Sequence, residues 1–185
     1  MEGKYIMLET ERLVLNGLSP DDMNFIFGSL PRHEIMALLG HRSEEEYVKE
    51  EYKYLHGYAS YNRSFLLFLL MERNSEKLIG RCGFHNWNKD HQRAEIGYVM
   101  EDEDYKQKGL MSEAVTTIID FGFNSLQLNR IEALVGPSNE ASIRILEKNG
   151  FQLEGVLREH FRRDDIWEDS RLCALLKPAH FSSKA

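Results

Sequence analysis

Apolar and polar positions along the chain follow two periods, and the switches between them mark its elements. "RLVLNGL" (Arg12 to Leu18) alternates and predicts a first strand. "SPDDMNFIFGSL" follows as a helix, with Ser19 as N-cap, Pro20 at the first helical position and Asp21 and Asp22 in the first turn. "SEEEYVKEEYKYLHGY" opens with a capping box, Ser43 with Glu46, and puts Tyr47, Glu51, Tyr54, Leu55 and Tyr58 on one helical face. Three strand-like runs come next, "FLLFLLME", "KLIGRCGFHNW" and "AEIGYVM"; the polar turn Asn74 to Lys77 makes the first two an antiparallel hairpin. "GLMSEAVTTIIDFGFNSL" aligns Leu110, Ala114, Val115, Ile118, Phe121 and Gly122 on one stripe, the mark of an amphipathic helix. A strand over Arg130 to Gly136, a helix "NEASIRILEKNG" closed by Asn149 and Gly150, and the strands "FQLEGVLRE" and "EDSRLCALLK" complete the chain. The order β, α, α, β, β, β, α, β, α, β, β predicts an α+β (mixed α/β) fold in which helices pack on a mixed sheet.

Composition narrows the function classes. At 185 residues and 42% hydrophobic the chain is sized for one globular domain, here expected over residues 1–185. A net charge of -7 argues against nucleic-acid binding, which needs many cationic contacts to phosphate, and suits a cationic partner. Two distant cysteines, Cys82 and Cys173, form no disulfide framework, and no export signal is visible, so a cytoplasmic location is expected. The most apolar run, Phe65 to Met71, is too short to span a bilayer, so no membrane partner is expected. Cys82, His85 and His91 could be read as metal ligands, but a second Cys/His pair at ligand spacing is missing and no metal is expected. No Gly-x-x-x-x-Gly-Lys-Ser/Thr is present, which removes a phosphate-loop NTPase.

One local feature runs against the overall acidity. "YKQKGLMSEAV" (Tyr105 to Val115) places Lys106, Lys108 and Gly109 at the entry to the long helix. A helix N-terminus offers unpaired amides and the positive end of the dipole, so it favours an anion. By itself the stretch reads more often as a solvated helix entry than as a site.

Its surroundings add a resemblance. Lys106, Gln107, Lys108, Gly109, Leu110 and Met111 resemble the (Gln/Arg)-x-x-Gly-x-(Gly/Ala) loop of the GNAT superfamily of N-acetyltransferases, and Ser112 to Ala114 its following Ser-Glu-Ala. "NEASIRILEKNGF" resembles the second signature of the same family, and "TERLVL" and "EGVLRE" resemble its RimJ/RimL-like branch, which acetylates protein N-termini. Met111 and Lys106 depart from the residues usual at their positions. The resemblance implies a central, mostly antiparallel sheet of six to seven strands flanked by about four helices. It also implies acetyl-CoA as cosubstrate, a protein N-terminal amine or a small amine as acceptor, and admits a homodimer.

Roles follow from the same resemblance. The loop residues Lys106 to Met111 would bind the pyrophosphate, while Val99, Met100 and Asn139 would hold the pantetheine arm. Glu95 is the candidate base, with its replacement by Gln expected to flatten the alkaline rise in rate. Leu146 occupies the place where many members carry a proton-donating Tyr, and Ser142 is the candidate acid in its stead. Glu159, Asp164, Asp165, Glu168 and Asp169 gather where an acceptor cation would enter; Tyr54, Tyr58 and Tyr61 read as helix packing or groove wall. Two alternatives stand beside N-terminal acetylation. One is a polyamine or aminoglycoside acetyltransferase, the other an acyl-CoA-binding module without turnover.

Overall fold

The computed structural model describes residues 6–57 and 63–182. The chain runs β1 (Ile6–Glu9), β2 (Leu13–Leu18), α1 (Pro20–Ser29), α2 (Arg32–Leu39), α3 (Glu44–His56), β3 (Ser64–Glu72), β4 (Leu78–Asn88), β5 (Arg93–Met100), α4 (Leu110–Asn124), β6 (Arg130–Val135), α5 (Glu140–Lys148), β7 (Gln152–Arg163), β8 (Ile166–Leu176) and α6 (Lys177–Ser182). The strands form one sheet in the order β1-β2-β3-β4-β5-β6-β8-β7. Only the β5–β6 pair is parallel.

The mostly antiparallel α+β architecture is as expected, with more elements than the expected six to seven strands and about four helices. The additional strand is β1, which pairs antiparallel with β2. The additional helices are α2 and α6. Pro31 at its N-cap and Gly40, left-handed with φ 68° at its C-cap, frame α2. Ser19 caps α1 as expected, while the reciprocal capping box expected at the start of α3 is found at α1 instead. Ser19 and Asp22 form the full reciprocal capping box. Ser43 accepts from the Glu46 amide, while the Glu46 carboxylate turns to the Arg42 amide at 2.7 Å instead. Tyr58 and Tyr61 lie outside the described residues.

The run "FLLFLLME" is apolar without alternation because β3 is covered on both faces. Leu66, Phe68 and Leu70 enter a core under α4, together with Cys82, Phe84, Ala94, Ile96 and Ile118. Leu67 and Leu69 face the other way, where Met23, Ile26, Ile35, Leu39 and Tyr47 of α1–α3 form a second core. The sheet is thus a partition between two apolar clusters. On α4 the buried stripe includes Met111, Ile119 and Phe123, with Phe121 only partly buried. A Cβ on Gly122 would come within 2.7 Å of Phe84 Cζ, so the closest helix–sheet approach needs a glycine there. At the far edge β7 is exposed along nearly its whole length.

Candidate active site

β5 sets the geometry of the site. It pairs with β4 along its length but with β6 only over Arg93, Ala94 and Glu95. Beyond Glu95 the parallel ladder stops and a cleft of about 850 Å³ opens between β5, the start of α4 and the first turns of α5. Val99, Met100, Lys106, Gln107, Gly109, Leu110, Met111, Asn139 and Ser142 all line this cleft, so residues expected from two distant signatures are brought together. Among the expected cofactor residues only Lys108 stands apart, its ammonium 5.3 Å from the ring centre of Tyr105.

The α4 end of the cleft presents a helix N-terminus, an arrangement that favours an anion. Gly109, with φ 78°, is the N-cap, and no side chain caps the helix. Gln107 is also left-handed, φ 59°, so the loop turns its backbone twice within three residues before the helix starts. First-turn amides of α4 therefore face the cleft without intrahelical partners. Met111, the departure from the small residue usual there, packs its side chain into the core. Lys106 shares its charge with Glu103 at 2.5 Å.

Cations absent from the sequence reading complete this end. Arg144 and Lys148, one turn apart on α5, line the same cleft, and Lys148 donates to Ser112 Oγ at 3.1 Å. Their i, i+4 spacing after Asn139 was a readable signal. A second group gives no local signal. Arg12, just before β2, donates from Nε to Glu113 at 2.8 Å and from its guanidinium to the Lys108 carbonyl at 2.9 Å. Its backbone amide also donates to Glu113, at 3.0 Å. Burial alone would raise the Glu113 pKa, but hydrogen bonds from Thr10 and Arg12 and the Arg12 charge outweigh it and hold the carboxyl low. Arg12 therefore offsets a carboxylate one turn from the anion site while pinning the loop. Arg12→Gln is expected to raise the acetyl-CoA KM about 5-fold at unchanged kcat, the size of one uncovered charge roughly 8 Å away in a solvated site. Adding Glu113→Gln should restore most of the loss; steady-state kinetics of the single and double variants check both.

Side chains alternate across β5, so Glu95, Gly97 and Val99 point to the sheet face opposite α4. There a second cleft, of about 510 Å³, is lined by Glu50 and Lys53 of α3, Phe65 and Leu67 of β3, His85 of β4, and Gly97 to Val99. Tyr98 and Val99 belong to both clefts, so the two openings meet through the gap in the sheet. A third hollow, between β5, β6 and the β7–β8 hairpin, joins Glu95, Ser142 and His160.

Glu95 lies mostly out of solvent, accepting from His85 Nε2 at 3.1 Å and Asn86 Nδ2 at 3.0 Å. Burial raises its pKa, yet the hydrogen bonds from His85 and Asn86 and the charges of His85 and His160 together hold it below the ordinary glutamate value. Asn139 caps α5 by accepting from the Ser142 amide at 3.1 Å, and it lines the cleft as well. Tyr98, also missed in the sequence, spans the gap and donates to the Ser142 carbonyl at 3.3 Å. Burial pushes its phenol up to about 12. Leu146 is buried against the third hollow.

Two other groups singled out in the sequence have a definite place in the structure. Cys82 lies in the core under α4 while His85 faces the opposite cleft, so the Cys-x-x-His spacing does not converge. Among the described residues no group of three His, Cys, Asp or Glu side chains is arranged to hold a metal. The acidic C-terminal strands are interleaved with arginines: Arg162 pairs with Asp165 at 2.6 Å, and Asp169 accepts from the Glu159 amide at 2.8 Å.

A parallel pair that opens beside a helix N-terminus, with an uncapped glycine loop on one side and a carboxylate on the other, is an arrangement for joining an anionic carrier to an amine. The model of the acetyltransferase (GNAT) domain matches residues 12–152. The chain belongs to the GNAT family. The uncharacterized N-acetyltransferase YoaA of Bacillus subtilis (strain 168) is 33% identical over 174 residues, 93% of this chain and 97% of that one. The ribosomal-protein-S5-alanine acetyltransferase from Vibrio fischeri shares the fold at a TM-score of 0.66 and 24% identity, covering 93% of this chain and 97% of its own. A spermidine N-acetyltransferase from Vibrio cholerae, solved in complex with CoA and spermine, does so at 0.69 and 22%, covering 93% and 99%. This GNAT protein is an N-acetyltransferase that uses acetyl-CoA. The uncapped end of α4, Lys106 in the loop before it and the cations of α5 fit an acyl carrier with a pyrophosphate. No helix among the described residues is long and apolar enough to cross a membrane.

Proposed function

We propose that this GNAT enzyme acetylates the N-terminal amine of a protein or peptide, in the manner of the RimJ/RimL-like branch, with residues 1–185 working as one domain. The observation that carries this reading is the lining of the cleft opposite α4. It is open and mixed in charge, with Glu50, Lys53, Arg63 and Arg81 around apolar Phe65 and Leu67. Lys53 pairs with Glu50 at 2.9 Å and Arg81 with Glu101 at 2.9 Å. A chain end bears one cation followed by neutral backbone and suits such a wall, whereas a polyamine brings several cations toward fixed arginines. Relatives do not decide the matter, since similar proteins include both ribosomal-protein and spermidine acetyltransferases.

In this reading the loop Lys106 to Met111 cradles the pyrophosphate, with Arg144 and Lys148 as added charge. Val99, Met100 and Asn139 flank the pantetheine arm. The acetyl group arrives where the clefts meet, and a backbone N–H near Val99 stabilises the oxyanion. Glu95 supplies the negative charge that draws the ammonium and its proton, and the Ser142 hydroxyl serves the departing thiolate. The test is incubation with acetyl-CoA and a panel of Ser-, Ala- and Met-starting peptides, spermidine and aminoglycosides, read by mass. Acetylation confined to peptide N-termini is expected; product from spermidine or aminoglycoside alone would replace the reading with a small-amine enzyme. A homodimer belongs to the same reading, supported by the edge strand β7, which leaves Leu153, Val156, Leu157 and Phe161 exposed. Light scattering should give twice the chain mass, and a monomer mass removes it.

A further inference from the structure

A carboxylate held below its ordinary pKa is a weak base for an ammonium, so the group that takes the proton needs separate identification. His85 and Glu95 are direct cross-strand partners on β4 and β5 and point to the same face. The Glu95 carboxylate is fixed by two donors, Asn86 Nδ2 on one oxygen and His85 Nε2 on the other. With its hydrogen on Nε2, a neutral His85 keeps the Nδ1 lone pair for another partner. That edge of the ring lies over Gly97: a Cβ there would meet His85 Cε1 at 3.0 Å and Nδ1 at 3.3 Å. Gly97 directly precedes Tyr98 and Val99, where the two clefts meet. The ring is also reachable, with nearly half of its side chain exposed.

We propose that His85 is the catalytic base of this acetyltransferase, its Nδ1 receiving the proton of the acceptor amine while Glu95 holds Nε2–H. The inference rests on the amine entering through the cleft opposite α4. The acceptor R–NH₃⁺ gives one proton to Nδ1, leaving an imidazolium paired with the Glu95 carboxylate. The freed nitrogen lone pair attacks the thioester carbon, and the C–S bond breaks with its electron pair on sulfur. The second nitrogen proton ends on the thiolate, giving amide and CoA thiol, and His85 returns its proton to solvent. Imidazole is suited to this cycle because its two ring nitrogens can donate and accept at once. Charged and titratable groups around the pair are Glu95 on β5, Lys53 and Glu50 on α3, Arg63 beside β3, Arg81 on β4, and His160 on β7, which reaches Glu95 by its charge. In the sequence His85 stands out only beside Cys82 and His91, a set without the second Cys/His pair that a metal site needs.

The experiment measures kcat against pH at saturating acceptor peptide for the wild type and His85→Ala, with calorimetric acetyl-CoA binding as the check that the variant is folded. The expected result is a fall of about 10²-fold or more, with the acid-side limb of the profile moved up to the ammonium's own range. Exogenous imidazole should restore part of the rate in His85→Ala, and more basic imidazoles more of it. A limb that stays in place, or no rescue while acetyl-CoA still binds, overturns the proposal and leaves His85 as a support for Glu95. Lys53→Trp, in the cleft opposite α4 and not in the carrier cleft, separates this from the entry route. Full activity in that variant would sink the placement of the acceptor, whereas its loss beside an unmoved His85→Ala profile would sink the proton role alone.

Discussion

Glu95→Gln is expected to lower kcat by about 10²- to 10³-fold, within the range of one positioned acid–base group, while leaving the acetyl-CoA KM unchanged. The split follows from where the side chain points. Glu95 lies on the sheet face opposite α4 and does not line the cleft that takes the carrier. What the variant removes is negative charge beside the entering ammonium and the partner of His85 Nε2. The pH dependence has a definite sign. Because the folded environment holds the Glu95 carboxyl low, the group is ionised throughout the neutral range, and its own limb lies below the ordinary glutamate value. Activity should fall as the pH drops through that lowered value. With that carboxyl held low, an alkaline rise in rate is expected to come from another group. Steady-state kinetics against pH check both statements, and an unchanged kcat in Glu95→Gln would remove the carboxylate from the chemistry.

The second large effect concerns Gly109. Asn and Asp both tolerate a left-handed backbone, so Gly109→Asn and Gly109→Asp should each fold despite φ 78°. Only Asp places a carboxylate where the pyrophosphate is proposed to sit. At about 6 Å and an effective dielectric near 20 the repulsion is about 3 kcal/mol, or roughly 100-fold. Arg12, whose guanidinium would lie 3.6 Å from the new Cβ, offsets part of it, so a 10- to 100-fold rise in Kd for CoA over the Asn variant is expected. Calorimetry at two salt concentrations measures the difference, which should shrink as salt rises. Equal affinities for the two variants would move the anion site elsewhere.

What could be read in advance followed the range of each interaction. Helix periods, caps and the Asn74 to Lys77 turn are local, and they placed α1, α3, α4, α5 and the β3–β4 hairpin correctly. Helix α2 escaped although Pro31 and Gly40 framed it, because eight residues carry too few turns to establish a period. β1 escaped because four residues gain their order from pairing with β2 and not from their own pattern. The cleft was legible where two signatures each lay within one loop and the helix after it, so Lys106, Gln107, Gly109, Leu110, Met111, Asn139 and Ser142 line it together. Arg12 on Glu113, Tyr98 on Ser142 and His85 on Glu95 were not legible. Each joins residues from different elements, and their spacing in the chain carries no trace of the contact.

The partition made by β3 has an evolutionary consequence. Leu66, Phe68 and Leu70 lock the carrier side, while Leu67 and Leu69 belong to the helical cap of α1–α3. Because alternate side chains of one strand serve two separate clusters, the cap can be reshaped residue by residue without disturbing the packing beneath α4. Such a scaffold lets new amines be recruited by rewriting one face, while the delivery of the acyl group stays as it was.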